Sequence, residues 1–170
     1  MTKLFELLQF SSYDVGPGEL ITLLEKELRF PSNVSTRVSN LLTNRVRGLI
    51  VENGYVDKDY KDLFSAHYSR VFPEHSKFAM RIHAFLTPIS HEAFLNLCVC
   101  GDSYIGFFVY YYAGIPNIGR TIVDPGKLGL SAKIMLATYR ANIAGSELAV
   151  NGFPYIQQDT NVMRCAHASI

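Results

Sequence analysis

The residues at the end of the chain are the ones whose types and spacing suit covalent chemistry. Cys165 heads the run Cys165-Ala166-His167-Ala168-Ser169-Ile170, whose small side chains are typical of the start of a tightly packed helix. A thiol at a helix N-terminus faces the positive end of the helix dipole, which favours the nucleophilic thiolate. Arg164 adds a positive charge beside it. A single cysteine also fits a small buried hydrophobic residue, so both interpretations stay open.

Two glutamines, Gln157 and Gln158, precede Cys165 by less than ten residues. A side-chain amide upstream of a nucleophilic cysteine can share the oxyanion of a tetrahedral intermediate with the backbone N–H of the nucleophile. The same glutamines fit an ordinary solvated loop. The pattern therefore suggests an acyl-transfer site without requiring one.

No histidine in the chain has the spacing of an obvious general base. His167 is two residues beyond Cys165, and side chains at that spacing on a helix do not face each other. The other histidines precede the cysteine, and the best placed is His83 on a predicted strand, where a structural role is the competing interpretation. The sequence contains no His-x-x-x-His pair or carboxylate cluster that predicts a metal site. We expect no metal and no cofactor.

Composition narrows the class of protein. The 170 residues include 16 Lys and Arg against 15 Asp and Glu, so the net charge of +1 provides no overall field for nucleic acid or an anionic membrane. The three cysteines make no closed disulfide framework, which favours a reducing, cytoplasmic setting. The longest apolar run, 105–115, is well short of the ~20 residues of a membrane-spanning helix. We expect a soluble protein that binds neither nucleic acid nor membrane.

The elements that would position these residues follow from hydrophobic periodicity. Helical spacing predicts three helices, at 18–29, at 35–46 and from an Asp57 cap to about Val71. A further helix is predicted at 90–100. Alternation and β-formers predict strands at 78–84, 104–112, 118–123, 132–143 and 147–150. The fold class predicted is α+β, with a helical N-terminal third followed by a mixed, largely antiparallel sheet.

Three consecutive tyrosines, Tyr110, Tyr111 and Tyr112, lie in the strand predicted at 104–112. Successive side chains of a strand point to opposite faces, so at least one of these rings is expected to be exposed. An exposed ring at this position indicates a packing partner, such as another domain.

The segment Phe153-Pro154-Tyr155-Ile156-Gln157-Gln158-Asp159, followed after a short gap by Cys165-Ala166-His167-Ala168-Ser169, resembles the N-terminal edge of bacterial papain-like cysteine peptidases. In that family an extended segment leads to a Gln and then to a Cys that opens the central helix. The family commonly has its Gln six residues before the Cys, where this chain has Asp159, and a Gly after the Cys, where this chain has Ala166. The resemblance assigns the nucleophile to Cys165 and the oxyanion contact to Gln158.

The resemblance implies two domains: an α+β accessory domain over 1–150 and an incomplete start of a papain-like domain over 151–170. The family's general-base His and its Asn or Asp follow the Cys, so this chain would lack them and be inactive alone. Its partners would be a peptide or protein substrate and the remainder of the peptidase domain or a partner chain. The alternative is a non-catalytic α+β binding or regulatory module that recognises another protein.

Overall fold

The structure, a computed structural model, describes residues 10–70, 76–89, 101–131, 134–143 and 145–156. Within these ranges the strands are β1 (Phe10–Asp14), β2 (Gly48–Tyr55), β3 (Ala79–Phe85), β4 (Tyr104–Tyr112), β5 (Pro116–Val123), β6 (Ala137–Ile143) and β7 (Ser146–Tyr155). The α-helices are α1 (Leu20–Lys26), α2 (Ser32–Leu42) and α3 (Lys58–Ala66). Short 3₁₀ turns follow α2 at Thr43–Arg45 and α3 at Tyr68–Arg70. No helix in these ranges is long and apolar enough to cross a bilayer.

The strands form one curled sheet in the order β1-β2-β3-β4-β5-β7-β6, with every pairing antiparallel. The long strand β7 produces the curl because it changes partner. It pairs with β6 from Ser146 to Gly152 and with β5 from Phe153 to Tyr155. Gly152 lies at the change, where a Cβ would approach the carbonyl oxygen of Val123 to 2.8 Å. Only glycine allows the two strands to come this close without adjustment.

The sheet has a covered face on each side. The helical face packs against α1 and α2 through buried aliphatic side chains that include Leu24, Val38 and Leu42. The inner face packs against α3 and against the β6–β7 hairpin, which contributes Ile143 and Leu148 to the same cluster as Phe85 and Tyr104. The molecule is therefore layered, with helices on one side of the sheet and both a helix and the sheet's own last hairpin on the other.

The prediction of a helical N-terminal third is wrong. Strands β1 and β2 lie within that third, and only 26% of the structure is helical. Soon after the helix predicted at 35–46, Gly48 begins β2, whose residues Leu49, Ile50 and Val51 are all buried. A short apolar run with both faces buried has no period that separates a strand from the end of a helix. The sheet was predicted to be mixed and largely antiparallel, and the parallel part of that prediction is wrong, because all the pairings among the described strands are antiparallel.

Other predicted elements occur at or near their expected positions. The strand at 104–112 is confirmed with the same ends, and the predicted cap of α3 is confirmed because Asp57 accepts a hydrogen bond from the Tyr60 N–H at 2.9 Å. The strand expected at 147–150 is longer than predicted and continues through Asn151 and Gly152 to Tyr155. The helix predicted at 90–100 lies outside the described residues.

A β-bulge in β4 decides which way its first residues face. Ala84 pairs with Gly106 and Phe85 pairs with Tyr104, so Ile105 is an extra residue on β4. Gly106 has a φ of +142°, and a Cβ there would lie 2.1 Å from the carbonyl oxygen of Ile122. The bulge reverses the alternation of the strand, which turns Tyr104 to the inner face.

Candidate functional site

The predicted nucleophile and oxyanion residue, Cys165 and Gln158, lie outside the described residues, as does the other glutamine, Gln157. Four histidines precede Cys165 in the sequence. His67 lies at the C-terminal end of α3 beside Tyr68, and His83 lies on β3. His75 and His91 are outside the described ranges.

His83 belongs to a polar cluster on the inner face of the sheet, formed by Glu52, Arg81, His83 and Tyr104. Its side chain is fully buried, and its Nδ1 lies 2.9 Å from the Tyr104 hydroxyl. Its Nε2 is 3.9 Å from Glu52 Oε2, which is too long for a hydrogen bond. Among the described residues, no other group is within hydrogen-bond distance of this nitrogen.

Burial determines the protonation of this pair. It lowers the pKa of His83 to about 4, against the opposing influence of the Glu52 carboxylate. Burial also raises the pKa of Tyr104, so the phenol keeps its proton. A neutral imidazole carries one proton, and the nearby carboxylate favours its position on Nε2. Tyr104 then donates to Nδ1.

Arg81 connects the polar cluster to the β6–β7 hairpin. Its Nε donates to Glu52 Oε2 at 2.7 Å, and its NH2 group donates to the carbonyl oxygen of Asn142 at 2.6 Å. The guanidinium also lies over the ring of Tyr55, 4.2 Å from the ring centroid. Although burial works to raise it, the pKa of Glu52 is lowered because His83 and Arg81 stabilise the carboxylate. The cluster thus holds the curled end of the sheet closed.

The polar cluster has the residue types of acid–base chemistry but does not offer a reaction site. The His83 side chain has no exposed surface, and those of Arg81 and Glu52 are 11% and 20% exposed. A substrate could reach only the edge of the carboxylate. No group of three or more potential metal ligands is present in the described part of the chain.

The accessible feature is a groove of about 410 Å³ at the end of the sheet where β2 and β4 end and β3 begins, which we call the aromatic groove. Its volume is in the range of ligand-binding clefts. Its lining residues come from these three strands and the segments next to them: Asn53, Gly54, Ser76, Phe78, Ala79, Met80, Tyr110, Tyr111, Tyr112 and Gly114.

The groove exists because the strands end at different positions. Met80 pairs with Tyr110 and β3 begins at Ala79, so Tyr112, the last residue of β4, extends beyond the start of β3. The register between β2 and β3 also shifts between Glu52 and Tyr55. The segment between α1 and α2 contributes Phe30 to this end of the sheet, where its ring stacks on Tyr110 with ring centroids 4.0 Å apart.

The aromatic side chains of the groove are held in different ways. Tyr111 is buried and stacks on Tyr60 of α3, whereas Tyr112 is 55% exposed. The expectation that one of the three tyrosines is exposed is confirmed. The hydroxyl of Tyr60 donates to the carbonyl of Ser76, which ties the segment before β3 to α3. Phe78 lies two residues after Ser76 and is 47% exposed, and its N–H donates to Ser76 Oγ at 3.1 Å.

The chemistry of the groove is that of binding. Its lining contains aromatic rings, a methionine, an amide and hydroxyls, but no carboxylate, histidine or cysteine. The Lys77 ammonium lies 5.4 Å from the centroid of the Phe78 ring and adds a positive charge beside the groove. The sequence signal that pointed to this region was the run of tyrosines. Neither Phe78 nor Asn53 was predicted, because only the staggered strand ends bring them together.

The chain was compared with protein families, curated proteins and solved structures. No family model, curated protein or solved structure matches the chain.

Proposed function

We propose that the described part of this chain is a non-catalytic binding module that recognises a segment of another protein in the aromatic groove. The observation that carries this proposal is the pair of half-exposed rings, Phe78 and Tyr112, beside a groove that the helices leave open. Aromatic residues are enriched at the energetic centres of protein interfaces because they bury a large area at a low entropic cost.

The lining suggests the chemistry of the partner. The side chains of Met80, Ala79 and Tyr110 in the lining suit an aliphatic or aromatic side chain of the partner. Lys77 places a positive charge next to Phe78. A complementary segment would carry a hydrophobic anchor with an acidic residue next to it, since electrostatic complementarity favours the correct partner.

A library of random peptides displayed on phage tests this proposal with the folded chain as bait. We expect selected peptides to share a hydrophobic anchor flanked by Asp or Glu. Their affinity, measured by fluorescence anisotropy, should fall at least about tenfold in Phe78→Ala and in Tyr112→Ala, as expected for interface anchors worth about 1.4 kcal/mol or more.

Two other exposed aromatic residues provide matched controls. Phe153 and Tyr155 on β7 are 52% and 49% exposed and do not line the groove. Phe153→Ala and Tyr155→Ala should leave the affinity unchanged. Peptides that bind all four variants equally, or a selection that enriches no peptide, would rule out the groove as a recognition site.

The hydrolase function that the papain-like resemblance implies stays a prediction. It depends on Cys165 as the nucleophile, on Gln158 as the oxyanion contact and on a general base. The two hypotheses are compatible, because a binding module can precede a catalytic segment in one chain. We propose a cytoplasmic setting on the cysteine content alone.

A further inference from the structure

The outer edge of β6 is the second surface that the fold leaves open. β6 is the last strand in the sheet order, and among the described residues only β7 pairs with it. The hairpin pairs Ile143 with Ser146 across a two-residue turn, so these two residues form a hydrogen-bonded pair. Along an antiparallel pair of strands, hydrogen-bonded and non-hydrogen-bonded pairs alternate. The backbone groups of Asn142, Arg140 and Thr138 therefore point away from β7.

The contact of Asn142 supports this assignment. Its carbonyl oxygen accepts from Arg81 at 2.6 Å and so is not used by β7. Arg81 covers the outer edge of β6 at this position. No corresponding side chain is recorded against the outward backbone groups of Thr138 and Arg140 within the described ranges.

Two of the usual protections of an edge strand are absent from this part of β6. Natural edge strands are blunted by proline, by bulges or by charged side chains. The segment 134–143 contains no proline, and its seven pairs with β7 show no register shift. Its one charged side chain, Arg140, is paired with Glu147 at 2.6 Å.

Exposed apolar side chains lead into the same edge. Ile134, Met135 and Leu136 directly precede β6, and they are 44%, 92% and 48% exposed. Three consecutive exposed aliphatic side chains beside an open strand edge are typical of a surface that another chain covers.

We propose that the occupant is a second copy of this chain, whose β6 pairs antiparallel with the first about a two-fold axis at Tyr139. In this register Thr138 of each copy lies opposite Arg140 of the other, and both positions have outward backbone groups. Thr138 of one copy and Arg140 of the other can therefore form two backbone hydrogen bonds, and the symmetry-related pair forms two more. No two Arg140 side chains meet directly, and the two Tyr139 rings face each other across the axis. The pairing is limited to residues 137–141 of each copy, because Arg81 covers the outer edge at Asn142. This self-complementarity is what an isologous contact requires.

Sedimentation analysis of the full chain between about 1 μM and about 1 mM tests the proposal, because these concentrations span the usual range of weak to moderate dimers. We expect a mass that approaches two chains. Thr138→Pro removes the outward N–H without removing a bond to β7, and it should weaken the dimer at least about tenfold. Thr138→Val keeps the N–H and loses the same hydroxyl, so it should dimerise like the wild type.

A crosslink checks the register independently of folding effects. With the three native cysteines replaced by serine, Tyr139→Cys places two thiols in a non-hydrogen-bonded pair at the axis, within disulfide reach. Arg140→Cys places them off the axis and should not crosslink. A monomeric mass at every concentration, or equal dimerisation of Thr138→Pro and Thr138→Val, would overturn the proposal. Dimers abolished by Phe78→Ala would assign self-association to the aromatic groove instead, and would also overturn it.

Discussion

His83 is a titratable side chain whose charge is decided by its surroundings. Burial lowers its pKa to about 4 from the ordinary value of 6.5, so it is neutral at pH 7. A buried histidine of this kind stabilises the fold only while it stays neutral. Its bond to Tyr104 and its closeness to Glu52 make it part of the polar cluster.

His83 is expected to make the fold less stable in acid, because its pKa is about 4 in the folded chain and 6.5 when it is not buried. Between pH 6.5 and about 4 the unfolded chain binds a proton that the folded chain does not, so the free energy of unfolding falls as the pH falls through this window. We expect His83 to account for a loss of about 2 kcal/mol between pH 7 and pH 5. The lowered pKa of Glu52 adds a loss in the same direction at lower pH, below its ordinary value of 4.5.

Urea denaturation of the wild type and of His83→Gln at pH 7 and pH 5 measures this contribution. The variant should be less stable at pH 7 because a buried hydrogen bond is altered, but its stability should depend less on pH. Identical pH dependence in the two proteins would show that His83 does not titrate in this window.

The hydrolase hypothesis depends on one residue, Cys165, acting as the nucleophile. If it is a nucleophile at a helix N-terminus, its thiol is more acidic than those of Cys98 and Cys100 and reacts faster. We expect iodoacetamide at neutral pH to label Cys165 first, as measured by peptide mass spectrometry over time. Slow labelling of all three cysteines at one rate would favour a structural cysteine.

Strand β4 shows how one glycine sets the geometry of an element. The bulge at Ile105 and Gly106 turns Tyr104 to the inner face, where it meets His83. Gly106 adopts a φ of +142°, and its close neighbour is backbone, which cannot move aside as a flexible side chain can. A side chain at this position would therefore be strained both in conformation and in space.

Gly106→Ala is expected to lower the free energy of unfolding by at least about 2 kcal/mol. Gly101→Ala is the matched control, because nothing lies within 4 Å of a Cβ added there. It should change stability by no more than about 0.5 kcal/mol. Chemical denaturation of the two variants under the same conditions gives the comparison. Similar stabilities would mean that the bulge is not required.

The β6–β7 hairpin acts at the scale of the whole molecule, because it closes the inner face of the sheet. It is held by buried side chains such as Ile143 and Leu148, by Arg81, and by the pairing of Phe153–Tyr155 with β5. The pairing of Phe153–Tyr155 with β5 lies beyond residue 150, which the sequence analysis gave as the end of an accessory domain. The strand that joins the hairpin to the sheet thus crosses that position.

Two shortened chains test this connection. A chain of residues 1–156 keeps all of β7, whereas a chain of residues 1–150 loses the pairing with β5 and the two pairs that Asn151 and Gly152 make with β6. We expect the shorter chain to be less stable by about 3 kcal/mol, and its melting temperature to be lower by roughly 6–12 °C. Differential scanning calorimetry measures both. Equal melting temperatures would show that the hairpin is held by side-chain packing alone.

The sequence by itself determined those elements whose signals are local. The dense β-formers of β4 predicted its ends, the Asp57 cap predicted the start of α3, and the alternation along Tyr110, Tyr111 and Tyr112 predicted an exposed ring. The tertiary structure decided what depends on residues far apart in the chain. β2 could be recognised only once both of its faces were covered, and the aromatic groove, the Glu52–Arg81–His83 contacts and the open edge of β6 exist only because the sheet curls. Local patterns specify which way a side chain points along its own strand, but which residues meet across the sheet depends on strand order and register.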